Sequence, residues 1–147
     1  MSKLKKQKYR LKVSSITENL EIIREFINRI ARKAGFSEEG ADQIELAVDE
    51  ACTNVIKHAY HFDSKRMLDI SVLVDKEKIE IIVTDKGSGF DPDQLAPPDI
   101  PKYAHEARVG GLGIYLMKTL MDEVSYSFNP GIKNTVSLVK YYNRKSA

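Results

Sequence analysis

The stretch ELAVDEACTNVIKHAY, residues 45–60, decides how the rest of the chain is read. Ile44, Ala47, Val48, Ala51, Val55 and Ala59 recur at steps of three and four, the apolar stripe of a helix. Glu50 and Asn54, four apart and so stacked one turn above the other, lie beside that stripe rather than out among lysines. Half-burying such a pair is costly. A carboxylate that can take a proton, and a neutral amide oxygen that can ligand a hard cation, are what Mg2+-assisted chemistry requires. On an exposed face the same two residues are only a solvated polar pair, so their meaning depends on what the chain supplies downstream.

Before this helix, Tyr9, Leu11 and Val13 alternate with Arg10, Lys12 and Ser14, which predicts a half-buried strand. Ser15 or Thr17 is expected to cap a first helix whose apolar face is Leu20, Ile23, Phe26, Ile27, Ile30 and Ala34, with Gly35 ending it. Ser37, followed by Glu38 and Glu39, starts the central helix with acid where the helix dipole favours it. After it come two alternating strands, residues 68–74 and 78–84, joined by the short Asp75-Lys76-Glu77 turn. Ile114, Met117, Leu120 and Met121 restore helical spacing. Val124, Tyr126 and Phe128 then mark a strand, Asn129-Pro130-Gly131 a turn, and residues 135–142 a last strand. Strands joined by short turns, with helices between, imply an α+β two-layer sandwich: a mixed, mostly antiparallel sheet with helices gathered on one face.

Residues 85–113 break this regularity, since they hold five of the eight glycines and four of the five prolines and have almost no apolar periodicity. A loop of that length inside a small domain is usually functional. Asp85-Lys86-Gly87-Ser88-Gly89 comes directly off a strand, and Gly110-Gly111-Leu112-Gly113 directly precedes a helix. Glycines after a strand let the backbone approach a flat ligand; glycines opening a helix leave N–H groups and the positive dipole end aimed at phosphate. Asp85 can accept from an exocyclic amine. Either cluster alone is equally well a tight turn. No GxxxxGK[ST], no GxGxxG after a strand and no protein-kinase HRD or DFG set occurs, so the commoner nucleotide-binding classes are unsupported.

Composition narrows the setting. The 147 residues, 42% hydrophobic and 30% charged, suit one domain that buries roughly two thirds of its unfolded surface. The expected layout is a basic tail at 1–8, the domain at 9–142 and a short tail at 143–147. Lone Cys52 rules out an internal disulfide and reads as a buried small hydrophobe in a cytoplasmic protein. The spacing of Cys52, His58 and His61 fits no usual zinc site. A net charge of +2 gives no footprint for nucleic acid, and no apolar run is long enough for a membrane span.

Taken in order, Glu50-xxx-Asn54, Asp85-x-Gly87-x-Gly89, Gly110-Gly111-Leu112-Gly113 and Asn134-Thr135 resemble the successive boxes of the ATP-binding superfamily shared by gyrase, the heat-shock chaperone, histidine kinases and MutL. More narrowly, EACTNVIKHAY, DKGSGFDP and GGLGIYLMKTLMDEVSY are similar to the anti-sigma-factor serine kinases of the RsbW and SpoIIAB type, and the likeness runs from about residue 10 to 142. The resemblance implies a Bergerat-type fold binding ATP and Mg2+. In it Asn54 ligands the Mg2+, Glu50 is the general base, and Asp85 accepts from the adenine amine with Thr135 in support. Gly87 and Gly89 admit the base, while Gly110, Gly111, Leu112 and Gly113 form the phosphate-binding helix start. Residues 92–109 become a mobile lid, and a phosphate contact from Arg108 is added on position alone.

The function implied is a cytoplasmic anti-sigma factor that binds Mg-ATP, sequesters a sigma factor and phosphorylates a serine or threonine on an anti-anti-sigma protein of the STAS type. The family suggests a homodimer. Three alternatives use the same residues: a non-catalytic ATP-binding module, a histidine-kinase catalytic domain, and a hydrolase in which Glu50 activates water.

Overall fold

The computed structural model describes residues 6–89 and 110–142, the side chains of 110–112 excepted. Strand β1 (Gln7–Ser14) leads through a 3-10 turn (Thr17–Asn19) into α1 (Leu20–Ala34). The central helix α2 (Glu38–Asn54) follows and continues as a π-helical segment (Val55–Ala59). Next come β2 (Met67–Val74), β3 (Lys78–Asp85), α3 (Gly110–Leu120), β4 (Glu123–Asn129) and β5 (Lys133–Tyr141). The sheet order is β1-β2-β3-β5-β4, and every described pairing is antiparallel.

Alternation along the strands sets the two faces of the sheet. Leu68, Ile70, Val72 and Val74 on β2, Ile79, Ile81 and Val83 on β3, and Val136 and Leu138 on β5 are buried. The helices cover that face, with α2 in the middle, touching α1, α3, β3 and β5. All six residues of its expected apolar stripe are buried, and three of them are alanines that let neighbouring elements come close. On the far side Arg24 pairs with Asp49 at 3.1 Å, and the Asn28 amide donates to Asp42 and Glu45, tying α1 to α2. The exposed sheet face is polar, where Arg10 pairs with Asp69 and Ser137 donates to Glu80.

Local signals hold at most junctions. Ser37 Oγ accepts from Gly40 N at 3.0 Å, and Gly35 ends α1 at φ 111°. Asp75 Oδ1 accepts from the N–H groups of Glu77 and Lys78, which closes the β2–β3 hairpin and holds this carboxyl below its ordinary range. At the end of α3, Lys140 Nζ donates to Leu120 O at 2.7 Å.

Several boundaries differ from expectation, among them β5, which starts at Lys133 rather than Thr135. Neither Ser15 nor Thr17 caps α1: the 3-10 turn intervenes, and the Asn19 amide donates to Ser14 O instead. Strand β1 also starts at Gln7 rather than Tyr9, because Gln7 and Lys8 pair with Val74 and Leu73.

Ile81 lies in the middle strand and is fully buried. Ile81→Ala should cost about 2–5 kcal/mol through lost burial and the cavity left behind. Chemical denaturation checks this; an unchanged midpoint would mean the sheet does not carry the core.

Candidate active site

The central helix brings Glu50 and Asn54 to its C-terminal end. Glu50 is half-buried, and its pKa is raised chiefly by desolvation, then by Asp49, with Lys57 pulling the other way. Across from it, the first turn of α3 passes so close that a Cβ on Gly113 would lie 3.4 Å from Glu50 Oε1. Asn54 is 5% exposed, and its Nδ2 has no hydrogen-bond partner. A buried amide left with an unused donor is costly, and such groups concentrate where a ligand completes the site.

Directly after Asn54 the helix widens. The sequence pattern continues as one helix to Tyr60, but residues Val55–Ala59 are π-helical, with Tyr60 N donating to Val55 O at 2.8 Å. The chain leaves through His61 and Phe62 in the left-handed region, at φ 50° and 64°, a conformation that costs on the order of 1–3 kcal/mol per residue. The Ala59 carbonyl turns to the β3 loop, where it accepts from Ser88 N at 3.2 Å. Tyr60 adds a second tie, since its hydroxyl accepts from Lys86 N and donates to Met67 O. The helix end carrying Asn54 and the loop carrying Gly87 are therefore one unit.

Asp85 ends β3 and is 5% exposed. Its Oδ1 accepts from Gly87 N at 2.8 Å and from Asn134 Nδ2 at 2.9 Å. The Asn134 amide also donates to Gly87 O at 3.0 Å and accepts from Asn129 N at 3.0 Å. At Gly87 a Cβ would sit 2.4 Å from Ala59 O, so the close approach requires glycine; Gly89 takes φ 78°.

Asn134 is the β5 side chain that hydrogen-bonds to Asp85 directly. The β3–β5 register pairs Asp85 with Asn134 and Thr84 with Thr135, so the side chains of Asp85 and Asn134 share one face of the sheet. Thr135, expected to support Asp85, lies next to Asn134 and lines the same cavity. The sequence did contain the signal, an asparagine just past the Asn129-Pro130-Gly131 turn, but its face depends on the pairing.

Asn54, Asp85 and Asn134 share one cavity, walled by Ala51 and by Tyr126 and Phe128, whose rings stack at 5.5 Å. This aromatic wall on β4 was not singled out in the sequence, although both residues fall on the alternating inner face. The cavity holds about 10 Å³, room for one water. Gly110, Gly111, Leu112 and Gly113 open α3 as expected, while Arg108 and the expected lid, 92–109, lie outside the described residues. Among the described residues no three His, Cys, Asp or Glu side chains converge as a metal site. Cys52 is buried, and burial raises its thiol pKa, so it is an inert packing group.

Gly87→Ala should destabilise the protein by about 1–3 kcal/mol, because the methyl meets a backbone oxygen that cannot rotate away. Gly113→Ala, whose methyl would meet Glu50 at an ordinary contact distance inside a helix, should fold as well as the parent. Thermal unfolding of both variants reads the difference; equal midpoints would contradict the close approach at Gly87.

Residues 13–140 match the family described as the histidine kinase-like ATPase domain. Similar proteins include the serine-protein kinase RsbW of Bacillus subtilis, 37% identical over 137 residues that cover 90% of this chain and 84% of the relative. The serine-protein kinase RsbW of Listeria monocytogenes is 34% identical over 142 residues, covering 94% and 89%. Among solved structures, the RsbU and RsbW domains of a Mycobacterium tuberculosis protein share the fold at a TM-score of 0.64 and 14% identity, covering 91% of this chain and 31% of that one. The SiaB-SiaC complex of Pseudomonas aeruginosa gives 0.63 at 12% identity, covering 89% and 88%. With residues 13–140 matched and these relatives at 34–37% identity over nine tenths of its length, the chain belongs to the histidine kinase-like ATPase domain family, among the RsbW serine-protein kinases.

Proposed function

We propose that this protein is an ATP-dependent serine/threonine kinase that phosphorylates an anti-anti-sigma protein of the STAS type, and that it sequesters a sigma factor in the cytoplasm as a homodimer. The observation that carries the reading is the convergence at one helix end. Glu50 has a raised pKa beside the start of α3, and Asn54 presents an orphaned buried amide to the cavity that holds Asp85. The names of the relatives, serine-protein kinase RsbW, support the same chemistry.

In this reading Asp85 accepts from the 6-amine of adenine with the oxygen that Gly87 and Asn134 leave open. A purine far exceeds the described space, so the base enters by displacing part of the cavity wall. The oxygen of Asn54 would hold a hard cation together with the nucleotide's phosphates, while its buried Nδ2 donor would be met by a phosphate oxygen. Bound there, Mg2+ supplies charge neutralisation for phosphoryl transfer. The glycine turn of α3, Gly110 to Gly113, aims free N–H groups at phosphate, and Arg108 contributes a cation just before it. Glu50 orients the acceptor hydroxyl and takes its proton.

The raised pKa of Glu50 gives two expected outcomes. As a base it must be ionised, so the rate should fall as pH drops through a value above the ordinary carboxylate range. Glu50→Gln should lose that limb and about 10²–10⁴ in rate while still binding ATP. For stability the sign runs the other way. A pKa higher in the folded state means that the folded protein binds more protons, so stability falls as pH rises through that value. Glu50→Gln should therefore unfold at an equal or higher temperature than the parent at neutral pH. Phosphotransfer to the antagonist protein, followed with labelled ATP across pH, decides between kinase and binding module. Transfer by Glu50→Gln at the parent's rate would make Glu50 structural.

Asn54→Ala should fail differently, by weakening Mg-ATP binding itself. Titration with and without Mg2+ reads this; a parent-like affinity that still depends on Mg2+ would remove Asn54 from the cation site.

A further inference from the structure

We infer that the seam between α2 and α3, leading from Glu50 to the first turn of α2, is the docking groove for the protein that receives the phosphate. That protein presents an aliphatic side chain near its acceptor hydroxyl and Lys or Arg farther along. This rests on the kinase reading of Glu50 and adds where its protein substrate sits. Gly113, at the start of α3, faces Glu50, while Leu120, at its end, lines a groove with Gln43 and Leu46. The two helices therefore run antiparallel, and the seam leads away from the base. The groove holds about 640 Å³. Leu46, one turn before Glu50, is 43% exposed although α2 is the middle helix of the layer, packed by α1 on one side and α3 on the other. A lone exposed leucine is ordinary. Here it meets half-buried Leu120 across a groove, and the two make an apolar floor that points at the general base.

Beyond Leu46 the rim is acidic. Glu38, Glu39 and Asp42 line the groove, and no Lys or Arg does. From Glu38 to Asn54 the helix carries six carboxylates and no cation. On the α1 side Arg24 pairs with Asp49, and the Asn28 amide donates to Asp42 and Glu45. Glu38 and Glu39 have no ion pair among the described residues. Carboxylates beside an apolar floor attract a cationic surface and reject an acidic one. The helix rise sets the spacing: Leu46 stands about 6 Å along the axis from Glu50, and Glu39 about 16 Å. A partner seated along that line has its hydroxyl held at the base before the chemistry begins.

The test follows phosphotransfer from labelled ATP to the purified antagonist protein, at low and at physiological salt. The proteins compared are the parent, Leu46→Gln, Leu46→Met and the double variant Glu39→Gln/Asp42→Asn. ATP affinity, thermal midpoint, sigma-factor binding and oligomeric state are read alongside. Leu46→Gln should raise KM for the antagonist about five- to 30-fold, the scale of one leucine left unburied, while kcat at saturating antagonist and ATP affinity stay within about threefold. Leu46→Met keeps the apolar volume and should match the parent. The neutralised double variant should raise the same KM at low salt and flatten its rise with salt. Should Leu46→Gln not fold, the salt dependence of the double variant decides. An unchanged KM in the folded variants, with the parent transferring phosphate, overturns this inference alone. A lower KM in the neutralised variant does so too, since it would mean an acidic partner. A change in oligomeric state or in sigma-factor binding, with the antagonist's KM unchanged, gives the groove to a second copy or to the sigma factor and likewise overturns it. A parent that transfers no phosphate overturns it together with the kinase reading.

Discussion

Everything at the site depends on the shared oxygen of Asp85. Burying a carboxylate is costly unless it is hydrogen-bonded, and here Gly87 N and the Asn134 amide both donate to Asp85 Oδ1. Those two bonds join the end of β3, the loop beyond it and β5 into one knot. Gly131 N donating to Gly87 O at 2.7 Å draws the β4–β5 turn into the same knot. The sheet thus ends as a rigid wall at the place where the chemistry needs a fixed acceptor.

The central helix supplies the opposing wall and bears the cost. Its π-helical end, the left-handed residues after it, the orphaned amide of Asn54 and the desolvated carboxylate of Glu50 each oppose folding. They are held because α2 buries Ala41, Ile44, Ala47, Val48, Ala51 and Cys52 in the core. The energetic logic is a well-packed scaffold supporting a strained end.

Much of this was legible in the sequence. The stripe of α2, the alternating strands, the Ser37 cap, the Gly35 stop and the hairpin turns are local signals, and the structure has each of them. The Glu50–Asn54 pair and the two glycine clusters also fell where spacing put them. What escaped was set by contacts distant in sequence. The widening after Asn54 leaves the apolar pattern unchanged, and it coincides with a contact distant in sequence, from Ser88 N to the Ala59 carbonyl. The direct bond from Asn134 to Asp85 depends on the β3–β5 register, and in a strand one residue decides which face a side chain takes. Tyr126 and Phe128 looked like ordinary strand residues until the sheet order placed β4 beside the cavity.

The central claim is that this cavity reads adenine through Asp85. Its most direct measurement is a calorimetric titration of ATP into the parent and into Asp85→Ala, both with Mg2+ present. Removing the acceptor should leave the 6-amine unpaired in a desolvated site and weaken ATP by about five- to 150-fold. Equal affinities in the two proteins, or no ATP binding by the parent, would contradict the account.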